Sequence, residues 1–102
     1  MKVAIYTRVS TSDQTTQNQL MDLEEVIERN NWEVVEFYDE VISGTKGVDE
    51  RFELSRMLKD AQRKKFEKLI IWSVDRLGRN LKNIIGVLST LQESGVEVYA
   101  CL

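Results

Sequence analysis

The sequence predicts an α/β domain in three layers, with the element order βαβαβαβ and a parallel sheet. Apolar residues switch repeatedly along the 102-residue chain between short strand-like runs and helical spacing. Each helical stretch is long enough to serve as a crossover, which favours parallel neighbours and right-handed connections. No repeat, low-complexity segment or linker interrupts the alternation, and the length suits one domain with one core.

Val3 to Thr7 is a short apolar run and reads as the first strand. Leu20, Leu23, Val26 and Ile27 follow at helical spacing with charged residues between them. Trp32 to Tyr38 is rich in β-branched and aromatic residues, a second strand. Asp39 to Glu50, with Gly44 and Gly47, is then the longest irregular stretch; a loop of about 12 residues in a small domain is usually functional or mobile. Leu54, Met57, Leu58 and Ala61 lie at i, i+3, i+4 and i+7, one face of a second helix. Lys68 to Ser73 is the most apolar run and reads as a fully buried strand. Leu81, Ile84, Ile85, Leu88 and Leu91 form a third stripe, and Gly95 releases the chain into a fourth strand, Val96 to Ala100. The stripes on all three helices are assigned to the core, and Trp32 and Trp72 to packing. No polar tail follows the last strand, so the domain is expected to be truncated at its C-terminal end.

Composition removes several kinds of chemistry. With no His and one Cys, the chain has no imidazole base, no internal disulfide and no Cys-based zinc site. Any nucleophile must be activated by something else. The net charge of −3 argues against a uniformly basic nucleic-acid coat. No apolar run approaches the roughly 20 residues of a membrane span, and the first apolar run breaks at Arg8, unlike a signal peptide. No membrane partner and a cytoplasmic location are expected.

Topology then gathers the polar segments. The strands of a parallel sheet all end at one rim, where ligands bind. Arg8-Val9-Ser10-Thr11-Ser12-Asp13-Gln14, the Ser43-Gly44 loop and Asp75-Arg76-Leu77-Gly78-Arg79 follow three strands and share that rim. Arg8, Arg51, Arg76 and Arg79, four of the seven Arg residues, belong to it. Thr11 or Ser12 can N-cap the first helix, and Thr11-x-x-Gln14 fits a capping box. Taken alone, that segment is a cap and a turn, and Asp75 is an N-cap or an ion-pair partner for Arg76. Together with the arginines they form a phosphate site beside a helix N-terminus. Arg76 and Arg79, at i and i+3, share a face if a helix has begun there. A Ser hydroxyl without an imidazole base needs a strong positive field, and planar Arg groups match the oxygens of a phosphodiester. The chemistry indicated is phosphoryl transfer to Ser10 with electrostatic stabilisation, and Asp75 can act as a general acid.

These residues resemble a known family. YTRVSTSDQ at 6–14, ISG at 42–44 and VDRLGRN at 74–80 are similar to the catalytic domain of serine site-specific recombinases, the resolvase/invertase family, over nearly the whole chain in order and spacing. The resemblance implies a resolvase-like fold of flavodoxin-like topology. It implies that Ser10 attacks a DNA phosphodiester to give a 5′-phosphoserine link. Arg8, Arg76 and Arg79 then hold the scissile phosphate, Arg51 supports them, and Asp75 serves the leaving 3′-oxygen. Gln14, Gln19 and Ser43 match polar positions around the site. It further implies double-stranded DNA as partner, a homodimer and a synaptic homotetramer in the full-length protein, and neither cofactor nor metal. Residues 1–102 would be an incomplete catalytic domain, without the dimerisation helix and DNA-binding domain, and inactive alone. Resolution, inversion, integration and transposition are not distinguished.

Two departures stand out. Phe52 follows Arg51 where the family usually has Pro, a helix-start convenience rather than chemistry. The chain also lacks the family's later strand and long helix. Two rivals share the sheet type. A flavin module is opposed by the absence of Gly between Thr7 and Gln14, and a receiver domain by Arg8 and Ser10 where it would need acidic residues. The run Arg63-Lys64-Lys65 reads as solvated surface or as a complement to a helix C-terminus.

Overall fold

Strands and helices alternate as the sequence predicts: β1 (Lys2–Ser10), α1 (Thr16–Asn30), β2 (Glu33–Ile42), α2 (Phe52–Gln62), β3 (Lys68–Ile71), a 3-10 turn (Val74–Leu77), α3 (Leu81–Glu93) and β4 (Glu97–Ala100). The structure, a computed structural model, describes residues 1–10, 16–42, 52–78 and 80–101, with the backbone alone at 9, 10, 16–19, 41, 42, 52 and 76. The sheet order is β2-β1-β3-β4, and every neighbouring pair is parallel. The fold class is therefore the expected one.

Period-two alternation in β1 divides the core. Ala4 and Tyr6 join Leu54, Met57, Ala61, Leu69, Ile71 and Leu91 under α2 and α3. Val3 and Ile5 join Leu23, Ile27 and Ile70 under α1. Helices on both sides of the sheet, whose inner strands β1 and β3 are buried on both faces, give the three layers.

Three expectations need correction. Asp39 to Ile42 is not part of an irregular stretch but the end of β2, paired through Thr7–Asp39, Arg8–Glu40, Val9–Val41 and Ser10–Ile42. The acidic pair hid the strand, because its carboxylates have specific partners: Thr7 Oγ1 donates to Asp39 Oδ1 at 2.8 Å, and Glu40 is buried. On α3, Leu81 and Ile85 are 71% and 53% exposed, whereas Val87 and Leu91 are buried. The apolar arc of α3 is wider than the face that meets the sheet, so the stripe overstated the core. Finally, Trp72 and Ser73 lie beyond β3.

All three helices end in the same way. Asn31, Lys64 and Gly95 have φ of 58°, 59° and 77°. The next amides, of Trp32, Lys65 and Val96, return to Ile27, Asp60 and Leu91 carbonyls at 3.1, 3.1 and 2.9 Å. This Schellman closure satisfies carbonyls a helix end leaves open. Only Gly95 carries the sequence signal for it. At Lys64 the closure directs Nζ onto the Ser94 carbonyl, 3.3 Å away, so this cation complements the C-terminus of the neighbouring helix. Trp32 packs edge-on against Tyr99 at 5.7 Å, and Lys68 Nζ lies 4.6 Å from its ring centre, in keeping with packing.

One buried ionisable group sits between β2 and α2. The Tyr38 hydroxyl donates to Asp60 Oδ2 at 2.6 Å, and Lys65 Nζ lies 3.4 Å from Oδ1. Burial opposes ionisation of Asp60, but the Tyr38 hydrogen bond and the Lys65 and Arg56 cations outweigh it and hold the carboxyl below its ordinary range. Burial, then the bond to Asp60, pushes the Tyr38 hydroxyl far upward. A carboxyl depressed in the fold stabilises it above the unfolded value, near 3.9, and loses that contribution as pH falls through the folded value. The stability gap between the native protein and Asp60→Asn is therefore expected to narrow between pH 6 and pH 3 in urea titrations. A gap that stays constant or widens on acidification contradicts this.

Candidate active site

β1 is one of the two inner strands of the sheet. Its pairing with β3 ends at Tyr6–Ile71, whereas its pairing with β2 continues to Ser10–Ile42. The last residues of β1 therefore run past the point where β3 gives way to the Asp75-bearing turn. The first and third polar segments thus belong to adjacent strands.

Arg8 joins them directly. Its guanidinium Nη1 donates to the Gly78 carbonyl at 3.2 Å. The donor is a cation, which strengthens the bond. Gly78 is itself held against α3. A Cβ there would lie 2.8 Å from both Asn83 Cβ and the Ile84 nitrogen. The Gly78 backbone is extended, φ −166°, so the residue is needed for close approach rather than for an unusual angle. Asn80 then N-caps α3, with its side-chain oxygen accepting from the Asn83 amide at 2.9 Å. Leu77, fully buried, pins the preceding turn into the core.

Asp75 is exposed on that turn and accepts a hydrogen bond from the Ser73 hydroxyl. It lies within the turn; the residue capping the turn is Ser73. α3 begins only at Leu81, so Arg76 stands on a separate 3-10 turn. Ser10 is the last residue of β1 and Gln19 lies on α1, with the backbone alone described for these two and for Arg76. Gln14, Ser43, Arg51 and Arg79, with the Thr11-x-x-Gln14 capping box, lie outside the described residues.

The structure adds a group that the sequence did not offer. Glu40, 4% exposed, accepts from the Tyr6 hydroxyl at 3.2 Å, from the Glu53 amide at 3.2 Å and from the Leu54 amide at 3.1 Å. A carboxylate from β2 thus satisfies amides in the first turn of α2, where free N–H groups and the helix dipole favour negative charge. It fixes the rim end of that helix, next to Arg51 in sequence. Helix capping is normally sought within a few residues; this cap comes from 13 residues upstream on another element. Cys101, by contrast, is disfavoured as a nucleophile: burial, with Asp22 adding to it, pushes its thiol upward and keeps it protonated.

Elsewhere, a cleft of about 490 Å³ at the opposite edge is lined by Met1, Lys2, Glu33, Lys64, Lys65, Phe66 and Glu67. Its lining mixes three Lys with two Glu, and none of the motifs reaches it. Among the described residues no helix is long and apolar enough to cross a membrane.

Comparison with known proteins agrees with this fold. Serine recombinase PinR of Escherichia coli (strain K12) is 35% identical over 102 residues, covering 99% of this chain and 49% of its own. Serine recombinase gin of Escherichia phage Mu is 34% identical over 94 residues, covering 89% of this chain and 42% of its own. The chain thus spans about half the length of the curated relatives it matches. The crystal structure of a resolvase family site-specific recombinase from Streptococcus pneumoniae superposes with a TM-score of 0.82 at 26% identity, over 98% of this chain and 71% of that one. The family model for the resolvase N-terminal domain matches residues 3–101. With sheet order, rim motifs and family match in agreement over this length, the chain belongs to the resolvase N-terminal domain family.

Proposed function

We propose that this chain is the catalytic domain of a serine site-specific recombinase, cutting and rejoining double-stranded DNA through Ser10. Ser10 Oγ attacks the scissile phosphorus; the Oγ–P bond forms as the bond to the 3′-oxygen breaks. The enzyme keeps the 5′-phosphate and the 3′-oxygen leaves with a proton. Attack by a 3′-hydroxyl on the phosphoserine reverses the step and restores Ser10. Because one ester replaces another, no external energy source enters.

Arg8, Arg76 and Arg79 hold the phosphate oxygens and offset the charge that gathers on them at the transition state. Arg51 supports the same group from the start of α2. Asp75, exposed beside the rim, serves the leaving oxygen. Gln14, Gln19 and Ser43 complete the polar surround. The observation that carries this reading is the Arg8–Gly78 hydrogen bond, which ties the Ser10-bearing strand to the Arg79-bearing loop. The homodimer and synaptic homotetramer, and most of the DNA affinity, are proposed to draw on protein beyond these 102 residues, since the relatives are about twice as long.

The test uses the full-length protein and a nicked duplex carrying its own recombination site, so that cleavage is trapped. A denaturant-resistant adduct on the 5′-phosphate is expected, with phosphoserine recovered on hydrolysis. Recombination without any covalent adduct, or an adduct on the 3′-phosphate, overturns the proposal.

A further inference from the structure

The Tyr38–Asp60 pair has no part in the chemistry proposed above, yet like Tyr6 and Glu40 it is a buried ionisable contact of the core. Tyr38 is fully buried and Asp60 is 5% exposed. The Arg56 guanidinium lies 4.4 Å over the Tyr38 ring and is held in turn by Glu53 at 2.7 Å and Glu36 at 3.4 Å. Buried charge is costly, and an apolar pair of similar volume often serves stability as well.

What the pair supplies is direction. Leu54, Met57 and Ala61 pack α2 onto the sheet, but apolar contact is non-directional and leaves a helix free to slide or turn slightly. Hydrogen bonds of fixed geometry remove that freedom. α2 has them at both ends. Glu40 of the sheet grips the Glu53 and Leu54 amides, and Asp60 of the helix is gripped by Tyr38 of the sheet. The anchors are about seven residues, roughly 10 Å, apart along the helix. Two anchors at that separation fix both the axial position and the rotation of α2.

We propose that Tyr38 and Asp60 are positioning residues, which set the place of α2 on the sheet and so the presentation of its rim end, where Arg51 leads into the helix. This rests on the proposed recombinase function only in its consequence for cleavage; the mechanical coupling stands apart from it.

Tyr38→Phe removes one hydroxyl and keeps the ring, and Asp60→Asn keeps the shape; should the second fail to fold, the first decides. Amide hydrogen exchange is read at Glu53 and Leu54, with Leu69 to Ile71 of β3 as the internal reference. Exchange at the two α2 amides is expected to rise at least tenfold in Tyr38→Phe, with the β3 amides unchanged. Equal protection in native and variant protein, or a rise matched in β3, overturns the coupling. In the full-length protein the adduct-forming rate at saturating DNA is expected to fall at least tenfold, with half-saturating DNA unchanged. A native rate in the variant overturns the positioning role. If the native protein forms no adduct, the recombinase reading fails, while the exchange result still decides the coupling.

Discussion

Ser10→Ala is expected to abolish the covalent protein–DNA adduct and all recombination, a loss of at least about a thousandfold, while DNA binding and thermal stability stay within error of the native protein. The size of the effect follows from the kind of catalysis. A nucleophile that forms the intermediate has no substitute, whereas removal of one stabilising donor leaves the others in place. The chain has no His, and its one Cys carries a protonated, partly buried thiol, so neither an imidazole nor a thiolate takes over. Stability should hold because Ser10 contributes to the sheet through its backbone, paired with Ile42, and alanine keeps that backbone. The checks are a gel-shift assay, a denaturing gel of the trapped adduct and a melting curve on the same preparation. An adduct that survives in Ser10→Ala assigns the nucleophile elsewhere.

The second large effect is expected at Gly78. Gly78→Ala places a methyl 2.8 Å from Asn83 Cβ and the Ile84 nitrogen. Both belong to the first turns of α3, so neither moves as freely as a side-chain tip. Overpacking of this kind costs about 1–3 kcal/mol. The displaced loop also carries the Gly78 carbonyl away from Arg8. Stability and cleavage should therefore fall together, read by urea denaturation and adduct formation. Gly86→Ala is the control. A Cβ there meets nothing within 4 Å, and alanine inside a helix is favoured over glycine by roughly 0.5–1 kcal/mol. If Gly78→Ala is as stable as the native protein, the close approach is not a constraint.

These two sites also mark how far the sequence could be read. The alternation of strands and helices was legible because its signals are local: Leu54, Met57 and Ala61 recur at helical spacing, and Leu69 to Ile71 form an unbroken apolar run. The rim was legible because parallel topology sends every strand end to one side. Asp39 and Glu40 misled because polarity was taken for a loop, when each carboxylate has a partner on another element. Tyr38 and Asp60 are 22 residues apart, and no short-range pattern joins them. At Gly78 the sequence shows a glycine but not which property of glycine is used, because that is decided by Asn83 and Ile84 on the next helix. Leu81 and Ile85 show the opposite error, where a local pattern claimed more burial than the packing provides.

The place of β1 also governs how the protein can be made. It precedes β2 and β3 in the chain, yet lies between them, so both flanking ladders wait for later segments. Such long-range pairing has a high contact order and slows folding relative to a chain of local hairpins. On the ribosome, the Val3–Tyr6 part of β1 stays without its β3 neighbour until residue 71 has emerged. The order of synthesis therefore acts as a timer, and β1 completes its two ladders only after β3 has left the exit tunnel.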